Sequence, residues 1–397
     1  MSVEERWLLP DGIEEVLPDE AARLERMRRR VLDLLGRWGY ALVMPPLMEY
    51  LDSLLTGVAQ ELDLQTFKIT DQLSGRLMGI RADMTPQAAR IDAHYLKQEG
   101  PVRLCYVGPV LRTRPDAPGG SREPLQLGAE LFGHSGPASD GEVICLMITV
   151  LEAVGLSELH VDLGHVGIFR GLAMAAGVDG DQEARLFDAM QRKAEGEVTQ
   201  LLDSWAVEPK LKTLLVSLPS LNGDSSILEE ARELFRMAPT GVLQALDDLE
   251  QVAARVRREM PERDLYFDLA ELSGYGYHTG VVFSALVPGH GMAVANGGRY
   301  DGIGGVFGRR RPATGFGVDL RLLARISDAA TDDGPEGILA PDVDDDGLLA
   351  EIAHLREQGE RVVRILPGQT VSAEELRCDR ELVKTGSRWS IESVKQS

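Results

Sequence analysis

The stretch "VLRTRPDAPGGSREPLQLGAELFGH", residues 110–134, carries more information about the fold than any other part of the chain. Two runs with strand-like alternation flank a loop rich in proline and glycine, which predicts two strands joined by that loop. Gln126 and Glu130 alternate with apolar residues, so one face of the second strand should be polar. Arg112 leads into the loop, and arginines that face carboxylate and amide groups can hold a zwitterion or a phosphate. A surface ion-pair network is the other interpretation of this pattern.

A second polar stretch, "GIRADMTPQAAR" at 79–90, lies upstream of the first. Arg81, Asp83 and Thr85 occupy alternate positions, and in a strand their side chains would share one face. Such a face suits the wall of a polar cavity, although a solvated strand face would show the same alternation. We predict a hairpin over residues 67–86 that carries these three side chains.

Glycines space out two tyrosines and a histidine in "LSGYGYHTGVVF", residues 272–283. Glycine lets the backbone adopt φ > 0 or approach another group closely, while Tyr275, Tyr277 and His278 offer hydrogen bonds and flat faces. No side chain in this stretch carries a full charge at pH 7, which favours a binding wall over a site of chemistry. The glycine-dense "GGRYDGIGGVFG" lacks the features of a phosphate-binding loop and predicts turns.

Composition describes an ordinary soluble protein of two or three domains. The chain has 397 residues, 44% of them hydrophobic and 26% charged, with a formal net charge of −21. That charge argues against wholesale electrostatic binding of nucleic acid. No apolar run reaches the ~18 residues of a membrane helix, and the N-terminus lacks a signal-peptide pattern. The three cysteines have no C-x-x-C spacing, so we expect reduced thiols, no metal site and a cytoplasmic location.

The order of the elements predicts an α+β fold with two domains. Strand patterns before 166 and after 264 enclose a segment with helical spacing, which predicts a helical insertion at about 167–260 within a core of residues 1–330. The linker-like "SDAATDDGPEG" follows. A β-α-β pattern then predicts a small C-terminal α/β domain at 331–397, which holds 15 acidic and 8 basic residues.

Taken in chain order, these segments resemble the core of class II aminoacyl-tRNA synthetases, and histidyl-tRNA synthetase in particular. "WGYALVMPPLMEY" (38–50) resembles the first, dimer-forming motif, the strand–loop–strand stretch resembles the second, and "PATGFGVDLRLL" (312–323) resembles the third. "LSGYGYHTGVVF" and "ANGGRYDGIGG" are similar to the two stretches peculiar to histidine-specific enzymes. The resemblance covers about residues 6–325. It implies an antiparallel sheet with flanking helices, a homodimer formed through 38–50, and a C-terminal remnant of an anticodon-binding-like domain.

The departures from the family pattern concern the groups that activate the amino acid. Ser273 stands where the family has its catalytic arginine, and Leu322 stands where the third motif has its ATP-binding arginine. Arg114 replaces the acidic residue of the second motif. Arg321 is one position away from the motif arginine and would point to another side of its helix. The resemblance therefore implies no catalytic residues, no cofactor and no metal in this chain.

The residues that match the family's amino-acid pocket are retained. A carboxylate pair and an amide suit an ammonium group, an arginine suits a carboxylate, and a tyrosine with a carboxylate suits imidazole N–H groups. The resemblance assigns this histidine-like pocket to Asp83, Thr85, Arg112, Gln126, Glu130 and Tyr277. We expect Glu130 to contribute most to ligand affinity, as a buried carboxylate facing a cation.

A synthetase core that retains its pocket but lacks its activation groups resembles the regulatory subunits of ATP phosphoribosyltransferase. This second resemblance extends to "RWLLPDGIEEVLP" and "LGHVGIFRGL" (163–172). It implies a short catalytic ATP phosphoribosyltransferase subunit as partner, a homodimer within a hetero-oligomer, and L-histidine as effector of the first step of histidine biosynthesis. The alternatives are a divergent synthetase-like enzyme that activates an amino acid, and a tRNA-binding paralogue.

Overall fold

The computed structural model describes residues 7–56, 60–116, 120–327 and 337–394. The chain divides into two compact units, Met1–Ala329 and Ala330–Ser397, and each has its own hydrophobic core. Most of the predicted linker, at 328–336, and the tip of the second-motif loop, at 117–119, lie outside the described residues.

Helices and strands of the first unit follow one another along the whole of its length. Its strands are β1 Ala41–Leu42, β2 Met48–Tyr50, β3 Phe67–Thr70, β4 Leu77–Ile80, β5 Val102–Pro109, β6 Leu125–Phe132, β7 His160–His165, β8 Asn222–Gly223, β9 Leu265–Asp268, β10 Val281–Leu286, β11 Ala295–Arg299 and β12 Ala313–Asp319. Its α-helices are α1 Pro18–Arg37, α2 Leu51–Leu54, α3 Gln60–Gln65, α4 Thr85–Arg90, α5 Pro137–Ala153, α6 Val166–Ala176, α7 Gly180–Gln191, α8 Glu195–Ser204, α9 Pro209–Ser217, α10 Ser226–Leu234, α11 Thr240–Glu259, α12 Ile303–Val306 and α13 Leu320–Ile326.

Nine strands form one large sheet in the order β1-β5-β6-β12-β11-β10-β7-β9-β8. Neighbouring strands are antiparallel except for the β1/β5 and β7/β9 pairs. Strands β5 and β6 are the predicted pair around the second-motif loop, and β12 lies against the other side of β6. Helices on a mainly antiparallel sheet confirm the predicted α+β class. The sheet brings the second and third motifs side by side.

The predicted hairpin at 67–86 is confirmed only in its first part. Strands β3 and β4 pair antiparallel, but β4 ends at Ile80 and α4 begins at Thr85, so the prediction that Arg81, Asp83 and Thr85 share a strand face is wrong. Pro86 in the first helical turn favours a helix start at this point. The buried Arg81 instead donates from Nε to the Pro109 carbonyl at 2.9 Å and from Nη1 to the carbonyl of Pro45 at 2.6 Å.

Strand ends near the glycine-rich stretches also differ from the predicted ones. We predict strands at 265–272 and 277–286, whereas β9 ends at Asp268 and β10 begins at Val281. The residues between them form turns: the amides of Tyr277 and His278 both donate to the Gly274 carbonyl at 2.8 Å. Gly274 has φ +67°, where a β-carbon is strained, and one placed there would lie 2.6 Å from the His278 ring.

Helices α6 to α11 occupy residues 166–259, the segment predicted to be a helical insertion. Helix α11 shows how its sequence produces this structure, because apolar residues at helical spacing become its buried face: Val242, Ala245, Leu246, Leu249, Val252, Ala253 and Val256. That face packs against α5 and α6. The short strand β8, which no sequence pattern predicts, pairs with β9.

The second unit contains the predicted β-α-β pattern and two further strands. It consists of β13 Gly337–Ala340, α14 Asp346–Glu357, β14 Val362–Arg364, β15 Cys378–Thr385 and β16 Arg388–Ser393. Its sheet has the order β14-β13-β15-β16. Charged residues interrupt the alternation in β15, which explains why the last hairpin is not predicted. The origin of this unit as a remnant of an anticodon-binding-like domain stays a prediction.

The first-motif region exposes apolar side chains that a partner could cover. Met44 is 79% exposed, and Leu42, Leu47, Met48 and Tyr50 are each at least 37% exposed. These residues lie on or beside the short edge strand β1 and on β2. Such a patch is typical of an interface and agrees with the expected homodimer.

We expect Met44→Glu to weaken self-association at least about 100-fold, because the dimer would have to bury a charge. Sedimentation of the wild type and the variant over a range of concentrations measures this change. Met174→Glu, at a methionine that is 75% exposed on α6, is the matched control and should leave association unchanged. A wild-type chain that stays monomeric at micromolar concentration would remove the dimer prediction.

Candidate ligand pocket

The loop between β4 and α4 meets the start of β6 in a small cluster of polar side chains. Asp83 Oδ1 accepts hydrogen bonds from the Thr85 amide at 3.0 Å, from Thr85 Oγ1 at 3.1 Å and from Gln126 Nε2 at 2.6 Å. Gln126 Oε1 in turn accepts from the Met84 amide at 2.9 Å. Three of the six residues assigned to the pocket are therefore brought together, and the Asp83 carboxylate is held in one orientation.

Arg112 is placed beside this cluster by backbone contacts on both sides. Its amide donates to the Arg122 carbonyl at 2.8 Å, which continues the pairing of the β5–β6 hairpin, and it forms an isolated bridge with Thr66. The guanidinium donates to the Ala82 carbonyl at 3.4 Å and forms an ion pair with Asp116. Arg112 therefore presents a cation that already has a carboxylate partner.

Glu130 lies deeper in the sheet, with 1% of its surface exposed. Tyr106 donates to Oε1 at 2.8 Å, and Tyr300 donates to Oε2. Burial raises the pKa of Glu130 to about 8, although the two tyrosine hydrogen bonds act in the opposite direction. Gly315 on β12 makes room for this carboxyl, because a β-carbon there would lie 1.6 Å from Oε2.

The ring of Tyr277 lies beyond Glu130. Its ring stacks on that of Tyr300, with ring centroids 5.0 Å apart and planes at 21°. The Tyr277 hydroxyl is buried and has no hydrogen-bond partner among the described residues. Burial raises the pKa of Tyr277 well above its usual value, so the hydroxyl is a neutral donor. An unpaired buried donor costs free energy unless a ligand or water accepts from it.

A cavity of about 840 Å³ opens in front of the polar cluster. Its volume is within the range of small-molecule sites. Asp83, Thr85, Arg112 and Gln126 line it, whereas Glu130 and Tyr277 do not. The expectation that Glu130 contributes most to ligand affinity stays a prediction. Glu130 is connected to the lining through Tyr106, whose hydroxyl lies 2.9 Å from Thr85 Oγ1.

Helix α13 forms the far wall of the same cavity. Arg321 and Leu322 both line the cavity, although successive residues of a helix point in directions about 100° apart. Asp319 Oδ1 accepts from the Arg321 amide at 2.9 Å, so the helix begins at the cavity edge and its first turn contributes more than one side chain to the wall. Arg321 Nη2 lies 3.5 Å from Glu123 Oε2.

The cationic side chains around the cavity are neutralised by the chain itself. Arg112 pairs with Asp116, Arg321 with Glu123, and Arg325 with Glu14 and Glu20. Opposite charges at these distances reduce the attraction that the arginines would exert on a phosphate. The cavity therefore offers a polyphosphate less positive charge than its three arginines alone would suggest.

Sequence patterns alone do not identify several residues of this site. His290 and Met292 reach the cavity from the β10–β11 turn, and no motif marks them. Tyr106 does leave a signal, since it pairs across the strands with Gly128, where a β-carbon would lie 2.3 Å from the Tyr106 ring. A glycine inside a strand indicates such a close approach. Ser273 is exposed and does not line the cavity.

Among the described residues, no group of three or more His, Cys, Asp or Glu side chains is placed to hold a metal ion. In the same part of the chain, every helix is too short or too polar to span a bilayer.

Comparison with known proteins places both units in families. A family model described as histidyl-tRNA synthetase matches residues 12–323, and one described as the ATP phosphoribosyltransferase subunit HisZ C-terminal domain matches residues 335–392. The ATP phosphoribosyltransferase regulatory subunit of Alkalilimnicola ehrlichii is 56% identical over 98% of this chain and 97% of its own length. That of Pseudomonas syringae pv. tomato is 54% identical over 98% and 99%. The chain belongs to the family of ATP phosphoribosyltransferase regulatory subunits.

Solved structures agree with this membership. A Bacillus halodurans protein described as an ATP phosphoribosyltransferase regulatory subunit/histidyl-tRNA synthetase has a TM-score of 0.81 at 30% identity, covering 93% of this chain and 95% of that one. The histidyl-tRNA synthetase of Nostoc sp. PCC 7120 has a TM-score of 0.79 at 19% identity, covering 95% and 91%. The class II synthetase-like fold is confirmed. Relatives with the regulatory name do not favour a divergent synthetase or a tRNA-binding paralogue.

In this regulatory subunit, Glu130 should make stability depend on pH. Its pKa is about 8 in the folded chain against an ordinary 4.5, so between these values the folded state holds a proton that the unfolded state has lost. Stability from this group is therefore present below about pH 4.5, falls as the pH rises to about 8, and is constant above that. Glu130→Gln cannot titrate, and we expect its stability relative to the wild type to rise across the window.

Denaturant unfolding of the wild type and Glu130→Gln at the two ends of the window measures this difference. Glu230→Gln, on the exposed face of α10, is the control and should show the pH dependence of the wild type. If the Glu130→Gln and wild-type stabilities differ by the same amount at both ends, Glu130 is not held protonated.

Proposed function

We propose that this chain is the non-catalytic, regulatory subunit of an ATP phosphoribosyltransferase and assembles with a separate, short catalytic subunit. In this role it is required for the first step of histidine biosynthesis and for feedback by histidine. The observation that carries the proposal is that regulatory subunits match this chain over nearly its whole length, at 52–56% identity. A homodimer within a hetero-oligomer, in the cytoplasm, is the expected assembly.

The chain itself does not activate an amino acid. Activation develops charge on the ATP α-phosphate, and the family supplies cations for it at positions that are Ser273 and Leu322 here. Arg321 lies close by, but Glu123 pairs with it. An absent cation cannot stabilise the developing charge, and a carboxylate partner weakens the stabilisation that a paired cation gives. These features support a binding role for the cavity rather than a catalytic one.

Histidine is the ligand that the pocket suits best. Asp83, Thr85 and Gln126 offer acceptors to an ammonium group at the cavity, and Arg112 offers a cation to a carboxylate. Glu130 and Tyr277 lie behind this lining, and they would bind the imidazole nitrogens in a conformation that opens the cavity towards them. An effector that binds two conformations of the complex unequally shifts their populations, which is how its binding would reach the catalytic subunit.

Nucleic acid is a poor candidate ligand. The net charge of −21 repels a phosphate backbone, and the acidic excess at 331–397 extends this repulsion to the C-terminal unit. Sequence-independent binding of nucleic acid depends on lysine and arginine contacts to phosphates. No role in tRNA recognition is therefore part of the proposal.

Purification of the tagged chain from its own cell tests the proposal. We expect a short ATP phosphoribosyltransferase to be retained in stoichiometric amount and to elute with the chain as one complex, identified by mass spectrometry. A tagged Met44→Glu chain shows whether self-association is needed for this assembly. Recovery of the chain without any phosphoribosyltransferase, under conditions that preserve known enzyme complexes of that cell, would count against the regulatory role.

A further inference from the structure

The stretch "LGHVGIFRGL", residues 163–172, has no role in the pocket as described so far. It spans the end of β7 and the first turns of α6, and His165 caps that helix by accepting from the Gly167 amide at 3.0 Å. Arg170 follows on α6 and is half-buried. Its side chain extends away from the helix towards the glycine-rich turns at 272–280.

The Arg170 guanidinium bridges two backbone carbonyls of those turns. Nη2 donates to the Tyr275 carbonyl at 3.0 Å and to the His278 carbonyl at 3.2 Å. The guanidinium carbon also lies 4.7 Å from the centroid of the Tyr275 ring. Tyr277, whose ring lies beyond Glu130, comes between the two bridged residues in the sequence. One side chain of the helical segment therefore holds the backbone on both sides of Tyr277.

A second set of contacts fastens the same turns to the helices. The Tyr275 hydroxyl donates to Glu183 on α7, and the rings of Phe169 and Phe187 each lie 5.3 Å from the Tyr275 ring. Tyr275 therefore anchors the turns in the helical segment. The next tyrosine along the chain, Tyr277, faces the sheet.

On the sheet side, contacts lead from the turns to the buried carboxyl. Tyr277 stacks on Tyr300, and Tyr300 donates to Glu130. A continuous series of contacts thus connects Arg170 on α6 with Glu130 on β6 and, through Tyr106, with Thr85 in the cavity lining. We propose that Arg170 is a positioning residue of the pocket, which fixes Tyr277 behind the cavity lining from the helical insertion and thereby sets the affinity for the ligand. The inference rests on the proposed function, because it takes histidine as that ligand.

Arg170 would affect ligand affinity through the fraction of molecules in which Tyr277 stacks on Tyr300. Hydrogen bonds from a charged donor are stronger than neutral ones, and here two of them hold the backbone on both sides of Tyr277. Without them the turns sample conformations in which Tyr277 leaves the stack on Tyr300. The apparent dissociation constant then rises by the inverse of the fraction that remains competent.

Arg170→Met in the reconstituted complex tests this role. Methionine keeps an unbranched side chain but has no guanidinium and donates no hydrogen bond, and we expect histidine affinity to fall about tenfold. Arg170→Lys retains a charged donor and should recover part of the affinity. Arg192→Met, at an exposed arginine of the same helical segment that pairs with Asp188 and Glu197, is the matched control and should bind as the wild type does.

Hydrogen exchange provides a readout that needs no histidine. The amides of Tyr275, Tyr277 and His278 are bonded within the turns, so Arg170→Met should speed their exchange while amides of β10 exchange as in the wild type. Unchanged exchange at 272–280 would overturn the inference whether or not histidine binds, as would unchanged affinity in a complex that does bind it. Failure of the wild-type complex to bind histidine, together with faster exchange in Arg170→Met, would count against the proposed effector and leave the positioning role supported.

Discussion

Amino-acid-dependent ATP–pyrophosphate exchange by the purified chain is expected to be at least about 10⁴-fold slower than that of a histidyl-tRNA synthetase assayed beside it. Two cations of the activation step are replaced by Ser273 and Leu322, and loss of one preorganised donor typically costs about 10²–10³ in rate. The arginines that do line the cavity are paired: Arg112 with Asp116, Arg321 with Glu123, and Arg325 with Glu14 and Glu20. Charge on the α-phosphate would therefore develop with little stabilisation.

Restoring only one of the two arginines should not recover ATP–pyrophosphate exchange. Ser273→Arg returns one cation but leaves Leu322 at the position of the family's ATP-binding arginine, and the exposed position of Ser273 outside the cavity lining makes a direct contact from a new arginine difficult. Exchange in the unmodified chain that persists through removal of contaminating synthetase would contradict the non-catalytic assignment.

Asp83→Asn is expected to weaken histidine binding by the complex about 10- to 100-fold. Asp83 lines the cavity within the polar cluster, and a charge-assisted hydrogen bond to an ammonium contributes about 1.5–3 kcal/mol. Asparagine keeps the side-chain size and an oxygen that can accept from Thr85 and Gln126, so the cluster should stay in place. Calorimetric titration of histidine into the wild-type and variant complexes measures the change.

Asp188→Asn, at an exposed side chain on α7, is the control for loss of one negative charge. It should leave histidine affinity unchanged. Equal affinities of the wild type and Asp83→Asn would mean that the pocket is an unused relic, and would move the regulatory site elsewhere in the complex.

Regular alternation explains which parts of the fold can be predicted from the sequence. Along β6, Leu125, Leu127 and Ala129 alternate with Gln126, Gly128 and Glu130, and β5 and β12 pair antiparallel with this strand. Prolines and glycines mark the ends of these strands. The stretch at 81–86 alternates as well, but Pro86 starts a helix there, and turn chemistry wins over strand periodicity.

Pocket geometry depends on contacts between distant segments, which one sequence does not reveal. The resemblance to synthetases brings together Asp83, Thr85 and Gln126 correctly in one cluster, but it does not show that Tyr106 and Tyr300 already occupy the Glu130 oxygens. A sequence motif also does not show whether an arginine is paired with a carboxylate. The motif likewise does not show that Arg321, one position before Leu322, also lines the cavity and pairs with Glu123.

The most direct measurement combines this chain with the separately purified short ATP phosphoribosyltransferase from the same cell and follows phosphoribosyl transfer while histidine is titrated. We predict that transfer at full rate requires both chains and that histidine inhibits the mixture. Full transfer by the catalytic chain alone, with a histidine response that addition of this chain does not alter, would contradict the regulatory assignment.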